Sequence, residues 1–81
     1  MENERRRTLI ETPITPPVKG VVFVHTSRPD NPMIVSGVDG EGEVWRVDSR
    51  GDLAPWGGVE DWFDEVRRRT IEVVYVPAQV V

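Results

Sequence analysis

The chain has no cysteine, one histidine (His25) and one lysine (Lys19). Without cysteine there is neither a disulfide framework nor a thiolate metal site, a composition that suits a reducing cytoplasm. One histidine does not build an ordinary zinc site. As a general base His25 would need a positioned partner, and nothing in the spacing sets Ser27, Ser36 or Ser49 beside it. Leucine occurs only at positions 9 and 53. No apolar run approaches the ~20 residues that span a bilayer. The charged N-terminus lacks the apolar stretch of a signal peptide. Basic residues are in deficit, 10 against 14 acidic ones, for a net charge of −4. That balance excludes nucleic-acid binding driven by bulk charge.

What remains is a chain of 81 residues, 38% hydrophobic and 30% charged. It has room for one small domain, whose core is marginal without staples or a partner. Valine is the commonest apolar residue, which favours sheet. Residues 1–19 read as a flexible tail. Arg5, Arg6 and Arg7 follow Glu2 and Glu4, and Pro13, Pro16 and Pro17 remove three backbone donors. A brief edge contact near Leu9 and Ile10 is the one structural expectation there. Residues 20–81 are expected to form a single α+β domain.

Within that domain, Gly20 to Thr26 predicts a strand apolar on both faces, hence interior to the sheet. Ser27 to Pro32 reads as a loop and Met33 to Val38 as a second strand. Asp39-Gly40-Glu41-Gly42 is a hairpin turn. Glu43 to Asp48 is a third strand, with Trp45 expected in the core. Ser49 to Gly58 reads as a long Gly- and Pro-rich connection. Val59, Trp62, Phe63 and Val66 then recur at i, i+3, i+4 and i+7, the stripe of a short amphipathic helix. Glu60 and Asp61 open it and Arg67, Arg68 and Arg69 close it, both matching the helix dipole. Thr70 to Val76 is a last strand, stopped by Pro77, with Ile71, Val73 and Tyr75 on one face. The expected order is β-β-β-α-β, a mainly antiparallel sheet with one helix packed on it.

Asp39-x-x-Gly42-x-Val44-Trp45-Arg46, Gly51, Trp56, Trp62 and the segment Ile71 to Pro77 resemble a pattern in small uncharacterised proteins of actinobacteria and their bacteriophages. The resemblance covers residues 36–77. It implies a bacteriophage or actinobacterial accessory protein, placed in the host cytoplasm if phage-encoded. That family has no assigned activity, so no residue inherits a catalytic role.

Several motifs have a plain structural reading. Asp39, Glu41 and Glu43 alternate like the start of a calcium loop, but Arg50 stands where the bidentate Glu belongs. Arg50-Gly51-Asp52 spells an adhesion tripeptide and reads as a solvated turn. Arg67–Arg69 are partly neutralised by Asp64 and Glu65 at i, i+4 spacing. Trp56 has no periodic partner. It is either a lid on a small core or an exposed anchor, since Trp often dominates interfaces.

No catalytic, cofactor or metal constellation emerges. The expectation is a small non-enzymatic accessory protein that binds another protein or assembles with itself, acting on a host or virion protein if phage-encoded. The contact residues expected are Trp56, Arg67, Arg68, Arg69 and Tyr75. The alternative is a nucleic-acid-associated regulator using the Arg clusters; no membrane partner is expected.

Overall fold

Residues 14–78 are described by the computed structural model, and their backbone hydrogen bonds close one antiparallel sheet. Its strands are β1 (Val22–His25), β2 (Arg28–Val38), β3 (Glu43–Val47), β4 (Leu53–Gly58) and β5 (Ile71–Tyr75), and α1 (Val59–Arg67) joins β4 to β5. The spatial order is β4-β3-β2-β1-β5. The doubly apolar β1 therefore lies inside the sheet, as its sequence predicts. Four antiparallel steps separate β4 from β5, so these two edge strands point the same way. The helix makes the crossover between them and covers one face. The α+β class expected from the sequence is the observed one.

Two hairpins share one chemistry. Asp39 Oδ1 accepts from the N–H groups of Glu41 and Glu43 at 2.9 Å each, and Asp48 Oδ1 accepts in the same way from Arg50 and Asp52. Three residues after each aspartate stands a glycine with positive φ, Gly42 at 83° and Gly51 at 89°. A residue with a Cβ is strained there. The Asp-x-x-Gly spacing is thus a turn motif used twice. Arg50-Gly51-Asp52 is part of the second turn, with Arg50 paired to both Asp48 and Asp52.

The structure has one strand more than the sequence predicts. Leu53–Gly58 pairs with β3 along its length despite Pro55, Gly57 and Gly58. Trp45 faces Pro55 and Val44 faces Gly57, which leaves Trp56 as the extra residue of a β-bulge. Pro is tolerated because β4 is an edge strand. The second strand also starts earlier than expected, at Arg28. Phe23 pairs with Met33 but His25 pairs with Arg28, so residues 29–32 bulge opposite Val24.

The core comprises Val21, Phe23, Met33, Val35, Val44, Trp62 and Ile71, with Trp56, Val59, Phe63, Val66 and Val73 packed around it. The helix stripe read from the sequence is the stripe observed. On β3 the faces are exchanged: Val44 is fully buried, whereas Trp45 is half-buried on the other side. Its indole N–H donates to Asp39 Oδ2 at 3.0 Å, so the turn gives that ring a polar anchor outside the core.

The helix ends without glycine. Arg69 takes the left-handed conformation, φ 64°. Its N–H bonds the Val66 carbonyl and that of Thr70 bonds the Glu65 carbonyl, the two bonds of a Schellman motif. One residue later β5 begins, which makes the helix-to-strand junction nearly loopless. Upstream, residues 14–19 lie against the domain. Pro17 is buried, and the Thr15 carbonyl accepts from the Trp62 indole N–H at 2.8 Å. The rest of the expected tail, residues 1–13, including the edge contact near Leu9 and Ile10 and the triplet Arg5–Arg7, lies outside the described residues.

Candidate binding surfaces

Trp56 is turned by its bulge onto the helix-covered side, where it is half-buried. Its ring meets Phe23 edge-on at 5.9 Å between centroids and Trp62 at 5.6 Å, and Phe23 meets Trp62 at 4.9 Å. Such pairs contribute about 0.5–1.5 kcal/mol each beyond their burial. The indole N–H donates to Nε2 of His25 at 3.3 Å. His25 is thereby a partner of Trp56 across the sheet, a role its strand-end position did not announce. Trp56 thus packs over the core as a lid would, and its ring also lines a cleft.

That cleft has a volume of about 630 Å³ and lies beside the helix. Trp56, Met33 and Pro55 supply its apolar lining; His25, Ser27, Arg28, Asn31 and Arg46 line it from the sheet, and Asp61 and Glu65 from the helix. Arg46 is held by Asp48 at 3.6 Å and by the Asp52 carbonyl at 3.1 Å. Asp61 accepts from the Gly58 N–H at the start of the helix.

The second surface is the face of the sheet that the helix does not cover. Leu53 pairs with Val47, Val47 with Ile34, Ile34 with Val22, and Val22 with Tyr75. Residues directly opposite in antiparallel strands share a face. These five therefore form one apolar row across all five strands. Their sequence neighbours Phe23, Met33 and Val35 point the other way, into the core. Leu53 is 58% exposed, Tyr75 56% and Ile34 46%. Tyr75 joins the row through a bulge: Phe23 pairs with Val73 while Val22 pairs with Tyr75. This separates Tyr75 from Ile71 and Val73, with which simple alternation had grouped it.

The expected contact residues do not converge. Trp56 lies on edge strand β4 and Tyr75 on edge strand β5, with three strands between them. Arg67, Arg68 and Arg69 are exposed at the helix end. Arg68 is paired with Asp64 at 3.2 Å. Glu65 instead receives the Thr70 hydroxyl, so the second i, i+4 pair does not form. A smaller groove beside β5 brings Arg69 together with Ile14, Val66 and Val73. The apolar row itself was missed by sequence reasoning, apart from Tyr75. Its only sequence signal is the recurrence of a large apolar residue on every strand.

Two turn carboxylates are held below their ordinary value. The indole N–H of Trp45, with the N–H groups of Glu43 and Glu41, holds the Asp39 carboxyl below its usual 3.8. The Asp52 N–H, with the N–H of Arg50 and the charges of Arg50 and Arg46, lowers that of Asp48 against a partial desolvation. Both carboxylates are structural.

No protein-family model, curated protein or solved structure matches this chain. Among the described residues no helix is long and apolar enough to cross a membrane.

Proposed function

We propose that this chain is a non-enzymatic accessory protein that works by binding protein through the uncovered face of its sheet, with a second copy of itself as the first partner. The observation that supports this is the row Leu53, Val47, Ile34, Val22, Tyr75. It carries no charge, runs the full width of the sheet and has three members about half exposed or more. Contiguous apolar patches of this kind mark interaction sites. A flat row is self-complementary under a two-fold axis, and two such sheets stack face to face at ~10 Å. A small core with one short helix gains from that second layer. The row also ends at Tyr75 on β5, an edge strand among the described residues, where strand addition is a further mode of contact.

The resemblance over residues 36–77 is compatible with an actinobacterial or phage-encoded accessory protein, acting in the host cytoplasm on a host or virion protein when self-association is not the end point. The nucleic-acid reading has less support. Arg68 is already engaged by Asp64, and the Arg67–Arg69 cluster faces the acidic total charge of the chain.

Mass in solution by light scattering tests the proposal. The expected result is a dimer at micromolar concentration that Ile34→Glu converts to a folded monomer. A wild type that remains monomeric at millimolar concentration sinks self-association through this face.

A further inference from the structure

The cleft beside the helix is divided by charge. Both of its cationic groups, Arg28 and Arg46, come from the sheet, and both carboxylates, Asp61 and Glu65, from successive turns of the helix. The four formal charges sum to zero, so neither a simple anion nor a simple cation gains from the site as a whole. A ligand carrying both signs at opposite ends gains at each wall. Arg46 is tied to Asp48, whereas Arg28 makes no ion pair among the described residues. Arg28 is thus the open half of the cationic wall, with a planar fork suited to a carboxylate. Between the walls lie Trp56 and Met33, an aromatic face and a soft thioether that accept an apolar side chain.

Size narrows the ligand further. A volume of about 630 Å³ falls within the range of small-molecule sites. Three extended residues span roughly 10 Å at ~3.3–3.6 Å each. Their free termini are an ammonium and a carboxylate.

We propose that this cleft binds a short peptide as a zwitterion, its ammonium toward Asp61 and Glu65, its carboxylate toward Arg28 and Arg46, and an apolar side chain over Trp56 and Met33. This site is on the opposite face from the apolar row and does not depend on the row's function.

The probe is the tripeptide Ala-Leu-Ala with free termini, titrated into the full chain while the Trp56 indole N–H signal is followed by NMR. Binding moves that signal. Acetylating the N-terminus or amidating the C-terminus weakens the affinity by about fivefold to tenfold each. Glu65→Gln reproduces the loss from acetylation and adds little to it; Arg28→Gln does the same for amidation. Arg28 is exposed, whereas Glu65 is half-buried and accepts from the Thr70 hydroxyl, so an unchanged spectrum elsewhere verifies the fold of each variant. An indole signal that stays fixed at millimolar peptide overturns the proposal. So do equal affinities for the free and doubly blocked peptides, which would mean apolar contact alone.

Discussion

The indole N–H of Trp56 donates to Nε2 of His25 across two intervening strands, from edge strand β4 to interior strand β1. Nε2 is the acceptor in that bond. The same indole packs edge-on against Phe23 and Trp62. Packing and hydrogen bonding are separable by substitution. Trp56→Phe keeps a ring in the bulge and loses the donor; it is expected to cost about 1 kcal/mol. Trp56→Ala loses both, by about 2–4 kcal/mol, less than a fully buried Trp because the ring is half open to the cleft. Urea unfolding measures both. Equal costs for the two variants would show that the ring's packing contributes nothing.

Arg69 marks a place where the backbone works against its own residue. A non-glycine side chain in the left-handed region is strained by roughly 1–2 kcal/mol, and the Schellman bonds to Val66 and Glu65 require that conformation. Arg69→Gly relieves the strain and adds some unfolded-state entropy. The net expected is a stabilisation of about 0.5–1 kcal/mol. A lower urea midpoint for Arg69→Gly than for the wild type would contradict this account.

Much of this was legible in the residues, and the misses share a cause. The helix stripe Val59, Trp62, Phe63, Val66 and the interior character of β1 follow from periodicity, which is local. The Asp-x-x-Gly turns are local as well. Strand β4 was hidden because Pro55, Gly57 and Gly58 are poor strand residues, tolerated only at an edge and around a bulge. Trp45 looked like core because it is large and alternates with Arg46; Asp39 holds its indole outside instead. The apolar row depends on four pairings and a bulge that shifts Tyr75 by one face. Register of that kind is set by tertiary pairing, beyond any window of sequence.

The turn carboxylates give the chain a defined acid response. Asp39 and Asp48 are both held below the ordinary value of 3.8 in the folded protein. Between the folded and unfolded values the unfolded chain binds more protons, so stability rises with pH across that window. Their contribution is fully present above the unfolded value and is lost as pH falls through the folded ones. The expected outcome is a urea midpoint that drops below about pH 4. In the double variant Asp39→Asn, Asp48→Asn that drop is shallower, because the amides do not titrate. An identical slope in wild type and double variant would assign the acid sensitivity to other groups.

Trp62 binds the start of the described chain to the core. It is fully buried, and its indole N–H has the Thr15 carbonyl as its acceptor at 2.8 Å. Removal of residues 1–18 deletes that carbonyl together with the buried Pro17. A buried donor left without a partner costs about 1–3 kcal/mol, apart from the packing lost with the proline. Trp62→Phe removes the donor itself, at the expense of a cavity. The two changes are therefore expected to be non-additive. Truncation in the Trp62→Phe background should cost at least about 1 kcal/mol less than in the wild type, since no indole remains to be orphaned. A double-mutant cycle by urea unfolding reads this coupling directly. Strict additivity would mean that the segment around Thr15 adds only coverage, and that solvent satisfies the Trp62 N–H once the segment is gone.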